Sequence, residues 1–137
     1  MEHSERALEV LKSSKVVAIL GVSKDPERPS YDVSKKLIDA KKHKVYLVNP
    51  NYANEVIHGI KVLSSLEDIK EPIDILNVFR NPKHLRPILE EAIKLSVKYV
   101  WLQPGSEDES LIKEYSDRLN IIYNACIGVE AAYLSLT

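Results

Sequence analysis

Four short stretches carry residues able to hold a phosphorylated ligand: Gly21-Val22-Ser23, Asn49-Pro50, Phe79-Arg80 and Trp101-Leu102-Gln103. Each closes or follows a run of aliphatic residues. Gly21 ends Val16-Val17-Ala18-Ile19-Leu20. Lacking a Cβ, it lets the backbone turn and a ligand approach closely. Ser23 brings a hydroxyl, and Arg80 a rigid fork of donors suited to phosphate. Beyond the loop, Val33, Leu37 and Ile38 begin a helical period. A helix start offers unpaired N–H groups and the positive end of its dipole, which also suits phosphate. Pro50, Phe79 and Trp101 offer flat apolar surface for a base or an acyl-like arm. On one rim these residues would make a pocket for a long, phosphorylated, partly apolar ligand.

Other chemistries lack their residues. The dinucleotide fingerprint G-x-G-x-x-G is not met, since Gly21-Val22-Ser23-Lys24-Asp25-Pro26 has one glycine where three are expected. An NAD site also wants a carboxylate at the end of the second strand to hold the ribose hydroxyl. Here Val45-Tyr46-Leu47-Val48 ends in Asn49-Pro50, so an NAD(H)-binding regulatory or oxidoreductase module is the second reading. His3, His43, His58 and His84 are scattered and there is one cysteine, so no metal site is expected. No Gly-x-Ser-x-Gly elbow occurs and no catalytic residue is assigned. A net charge of -1 gives no field for nucleic acid or an anionic membrane. The lone cysteine fits a reducing compartment. Without a long apolar run, neither signal peptide nor membrane span is expected, and the chain reads as cytoplasmic.

The elements that must position these residues alternate regularly along 137 residues, a length that fits one domain. A short helix over 5–12 precedes a first strand over 16–20, and a helix over about 30–41 leads to a second strand over 45–48. An irregular stretch over 51–65, with Ile60-Lys61-Val62 as a brief strand, runs into one helical turn at Leu66-Glu67-Asp68-Ile69. The third strand spans 73–79. Leu85, Ile88, Leu89, Ala92 and Ile93 then show the spacing of a helix lying on a sheet. A fourth strand over 99–102, a helix opened by a Ser106/Glu109 capping box, a fifth strand over 121–123 and an apolar helix complete the chain. This is an α/β pattern: a doubly wound, Rossmann-like, parallel five-stranded sheet with helices on both faces. The expected strand order is 3-2-1-4-5, with ligands beyond the carboxyl ends of the strands.

The residues at these ends resemble the small stand-alone CoA-binding proteins, which share their fold with the CoA-binding domain of the succinyl-CoA synthetase α subunit. The likeness rests on Ile19-Leu20-Gly21-Val22-Ser23, Arg28-Pro29-Ser30-Tyr31, Asn49-Pro50, Val78-Phe79-Arg80, Trp101-Leu102-Gln103 and Cys126-Ile127-Gly128-Val129-Glu130. It implies that coenzyme A is the ligand, with its pyrophosphate on the Gly21-Val22-Ser23 turn and its adenosine along Asn49-Pro50. It further implies that Phe79-Arg80 closes over the nucleotide and that Trp101 to Gln103 borders the pantetheine arm. Relatives often carry a lysine just after the Asn-Pro pair, suited to the ribose 3′-phosphate, whereas Asn51-Tyr52 follows here. Either Lys24, Arg28 or Lys83 supplies that charge, or CoA is held less tightly. The larger relatives use other domains for chemistry, so the chain is expected to bind CoA or acyl-CoA without catalysis. A homo-oligomer or a ligase-like partner is compatible with this. A bare interaction subunit with a vestigial pocket is a further alternative.

Plainer roles stand beside these. Ser30 is expected as a helix N-cap and Asp32 to point away from any phosphate. Trp101 is either core or ligand platform. Cys126 is either a small buried hydrophobe or a thiol activated by the following helix and able to form a mixed disulfide with CoA.

Overall fold

The short, β-branched aliphatic runs become parallel strands, whose buried backbone groups are satisfied by neighbouring strands. The computed structural model describes residues 5–136. Strands β1 (Val16–Leu20), β2 (Lys44–Val48), β5 (Ile75–Val78), β6 (Tyr99–Leu102) and β7 (Ile121–Ile122) form one five-stranded sheet. Strands β3 (Val56–Ile57) and β4 (Ile60–Lys61) make a separate antiparallel hairpin. His58 and Gly59 both have positive φ, as its two-residue turn requires. His58 Nε2 donates to the Tyr31 carbonyl, 2.9 Å away, tying the hairpin to helix α2 (Pro29–Asp39).

Side chains alternate across the strands and build two cores. On one face Val17, Ile19, Ile75 and Trp101 pack against α1 (Glu5–Ser13), α2 and α5 (Ile127–Leu134). On the other, Ala18, Leu76, Val78, Val100 and Leu102 pack against α3 (Leu85–Lys94) and α4 (Glu109–Tyr115). The 3₁₀ turn Leu66–Asp68 joins this second layer through Leu66.

The strand order corrects the sequence expectation. It is β2-β1-β5-β6-β7, so the five sheet strands run 2-1-3-4-5 in chain order rather than 3-2-1-4-5. All four residues of β5 are buried, and it pairs with both β1 and β6. β2 instead begins with exposed Lys44 and half-buried Val45 and Tyr46, the profile of a margin. A short segment covers that margin: Leu63 N–H donates to Leu47 O at 2.8 Å and Leu63 O accepts from Asn49 N–H at 3.0 Å. This single parallel bridge covers the edge at Val48. The topological switch point falls between β1 and β5, where doubly wound sheets place their ligands.

Candidate functional site

Register brings the strand ends level. Leu20 pairs with both Val48 and Val78, and Val78 pairs with Leu102. The next residues, Gly21, Asn49, Phe79 and Gln103, therefore line up across the carboxyl edge of the sheet. At the switch point the backbones nearly touch. A Cβ on Gly21 would lie 2.0 Å from the Phe79 carbonyl oxygen, and Gly21 has φ +95°. Only glycine satisfies both the space and the conformation.

The loop after Gly21 is held from both sides. Ser23 N–H donates to Ser30 Oγ at 2.9 Å, and Ser23 Oγ accepts from Asp25 N–H at 3.1 Å. The Ser23 hydroxyl proton stays free to donate. Ser30 is thus a loop clamp in the first turn of α2; the N-cap is Arg28, whose side chain makes no capping bond. Asp32 is exposed and pairs with Lys36 at 3.0 Å. Asn49 is buried; its Nδ2 donates to Val22 O at 2.8 Å and its Oδ1 accepts from Asn51 N–H at 2.9 Å. One amide locks the ends of β1 and β2 together.

On the other side, Arg80 N–H donates to the buried Ser106 Oγ at 3.0 Å, joining the loops after β5 and β6. The expected Ser106/Glu109 capping box is absent because Ser106 serves this contact. Asp108 caps α4 instead, accepting from Leu111 N–H at 3.1 Å. Gln103 is a second hub. Its Oε1 accepts from Asn77 Nδ2 at 3.0 Å and from Ile127 N–H at 2.8 Å, while its Nε2 lies 3.4 Å from Cys126 Sγ. Cys126 is the N-cap of α5, half-buried, with no side-chain capping bond.

These loops enclose a cleft of about 850 Å³, a size suited to a cofactor or drug-sized ligand. Arg28 and Arg80 line it, and no aspartate or glutamate does. Neither guanidinium has an ion-pair partner among the described residues. Lys24, in the loop after β1, pairs with Glu55 at 2.7 Å. The hydrogen bond and charge of Glu55 hold the Lys24 ammonium above its ordinary range. The start of α2 lies beside the cleft, and Arg28 and Arg80 are the cationic residues in its lining.

A family model described as a CoA binding domain matches residues 15–132. The chain belongs to the CoA-binding domain family. This CoA-binding domain is 35% identical over 125 residues to an uncharacterised Bacillus subtilis protein, YneT, covering 90% of each chain. It is 34% identical over 139 residues to an ADP-forming acetate–CoA ligase of Methanocaldococcus jannaschii, matching 94% of this chain but only 19% of the ligase. A solved Thermus thermophilus structure, cell-free ID.343, superposes with a TM-score of 0.83 at 34% identity, covering 95% of this chain and 97% of that one.

Within this CoA-binding domain the residues singled out by sequence divide. Gly21, Ser23, Arg28, Ser30, Asn49, Phe79, Arg80, Gln103 and Cys126 all line the cleft. Val22, Lys24, Pro50 and Trp101 do not. The Val22 side chain is buried in the first core. Trp101 is likewise fully buried, its Nε1–H donating to Ala125 O at 2.9 Å, so it supports the loop before Cys126 instead of forming a ligand platform. Sequence reasoning missed Tyr52, Asn81, Pro104 and Ser106, which also line the cleft. The first three lie one to three residues beyond a recognised strand-end residue, which was the available signal. Ser106 was misassigned to capping. No group of three or more metal-ligating residues occurs among the described residues, nor does any helix there have the length and hydropathy to cross a membrane.

Proposed function

We propose that this domain binds coenzyme A, or an acyl-CoA thioester, in the cleft at the carboxyl ends of β1, β2, β5 and β6. It acts in the cytoplasm as a holder of the cofactor and has no catalysis of its own. The observation that carries this reading is charge: Arg28 and Arg80, neither ion-paired among the described residues, line a cleft with no carboxylate in its lining. A guanidinium fork matches phosphate oxygens, and the glycine turn with the start of α2 gives the diphosphate a close approach. Asn49 stands where an NAD site wants a carboxylate, and its amide is engaged by Val22 and Asn51. That disfavours a nicotinamide cofactor. The ligase relative supports a second reading, in which a partner chain performs thioester chemistry on CoA held here.

In the same reading the thiol end of CoA reaches Cys126, which shares the cleft and is free. Attack of the Cys126 thiolate on CoA disulfide forms a Cys126–CoA bond, breaks the CoA–CoA bond and releases one CoA thiolate.

Calorimetric titration tests the main reading. Wild-type protein should bind CoA, and Arg80→Ala should weaken binding about tenfold or more, the loss expected for one charge-assisted contact. NADH should bind far more weakly. No CoA binding, or equal affinity in the variant, defeats the reading. Mass measurement without reductant, after exposure to CoA disulfide, should show an adduct of CoA mass that Cys126→Ser lacks.

A further inference from the structure

Gln103 turns one end of its amide toward the start of α5 and the other toward the Cys126 sulfur. Shape alone does not tell the two ends apart, but a backbone N–H can only donate. Ile127 N–H lies 2.8 Å from the first end, which is therefore the carbonyl oxygen, Oε1. Asn77 obeys the same rule, presenting Nδ2 to Oε1 at 3.0 Å. Its own Oδ1, on a side chain with no exposed surface, has no partner among the described residues. An apolar residue at this place in β5 would leave no such orphan, so the strand bears a cost and Oε1 gains a second donor. With Oε1 held twice, Nε2 has to face Cys126 Sγ, 3.4 Å away. An amide nitrogen donates and does not accept, so the sulfur is the acceptor in this bond. Cys126 lines the cleft, and Trp101 Nε1–H on Ala125 O ties the residue before it to the core.

We propose that Gln103, locked by Asn77 and Ile127, is the positioning residue that presents the Cys126 sulfur as a nucleophile to a disulfide in the cleft. This rests on the reading above in which Cys126 exchanges with CoA disulfide. A donor aimed at sulfur favours the thiolate, which is the attacking species. A carboxylate oxygen in the same place would accept the S–H proton and repel the anion.

The test is the rate at which Cys126 attacks dithiodipyridine, an uncharged disulfide. The thiolate bonds to one sulfur of the probe and expels the other as thiopyridone, which is read by absorbance. Cys126 is the one cysteine in the sequence, so the signal reports a single sulfur. Gln103→Glu keeps an oxygen for Asn77 and Ile127 and puts a second oxygen where Nε2 stood. It should react about tenfold or more slowly than wild type at neutral pH, the loss of one donor to a charged group. Its rate should also begin to rise only at higher pH than in wild type, a displacement that a purely structural role would not produce. Gln103→Met, uncharged and of similar length, lacks the donor too and should be slowed several-fold, which decides the matter if the glutamate variant does not fold. Adduct formation with CoA disulfide should fall in parallel. Either variant, folded by its tryptophan emission yet reacting as fast as wild type, overturns the assignment. The probe needs no CoA site, so a wild type that binds no CoA defeats the CoA reading while the rates still decide the role of Gln103.

Discussion

Replacing Gly21 by alanine puts a methyl carbon 2.0 Å from the Phe79 carbonyl oxygen, 3.0 Å from the Phe79 carbonyl carbon and 3.2 Å from Arg80 Cδ. Two costs follow. An alanine at φ +95° sits in left-handed backbone space, at roughly 1–2 kcal/mol. The overlap with β-strand backbone cannot be relieved by a rotamer change and forces the ends of β1 and β5 apart, adding about 1–3 kcal/mol as overpacking does elsewhere. Lower entropy of the unfolded chain returns up to about 1 kcal/mol. Gly59 supplies the control, since it has φ +79° but nothing within 4 Å of its virtual Cβ. Gly59→Ala bears the conformational cost alone. Urea unfolding of the unliganded proteins should therefore leave Gly59→Ala within about 1–2 kcal/mol of wild type and Gly21→Ala about 2–4 kcal/mol below it. Gly21→Ala should also bind CoA more weakly, because the opened switch point moves Arg80. Equal losses in the two variants would show that the close approach of β1 and β5 is not what demands glycine.

Acid should loosen the fold through two surface carboxylates. Hydrogen bonds from Lys44 and Tyr46 hold Glu71 below the usual carboxylate range, and a hydrogen bond from Arg86 does the same for Glu114. A depressed folded-state pKa gives stability that is full above the unfolded value, about 4.3, and lost as pH falls through the folded one. The urea midpoint should thus drop as pH falls from about 5 to about 3, less steeply in the double variant Glu71→Gln/Glu114→Gln. Identical slopes would exclude these pairs as the cause. Trp101 is the single tryptophan and is fully buried. Its emission should resist quenching by iodide and stay unshifted on CoA addition. Ready quenching in the folded state would contradict its place in the core.

The strands were legible because buried parallel strands read as unbroken apolar runs, and Val16–Leu20 and Tyr99–Leu102 are such runs. Their order was misjudged, although the cue was present. Lys44 and Tyr46 mark β2 as marginal, while Ile75-Leu76-Asn77-Val78 marks β5 as interior, and reading the two together would have placed β5 beside β1. Gly21 and Arg80 were found because glycine after a strand and a cation at a strand end have local signatures. The roles of Ser30 and Ser106 were not, because a serine near a helix start suits both a cap and a clamp. Its partner is the N–H of Ser23, seven residues back in the loop before α2, or that of Arg80, 26 residues away, and neither shows in the local helix-start pattern. Trp101 was undecided for the same reason: only the Ala125 carbonyl, 24 residues away, shows which way its indole faces.

The level row of Leu20, Val48, Val78 and Leu102 makes the sheet behave like a comb with its teeth cut to one length. Each loop hangs from a fixed rung, so residues can be grafted after β6 without disturbing what hangs from β1. Within a strand there is no such freedom. One residue inserted in β1 would carry Gly21 about 3.3 Å past its neighbours and turn Val17 and Ile19 toward the opposite helices. Variation in length is therefore open to the loops and closed to the strands that carry them.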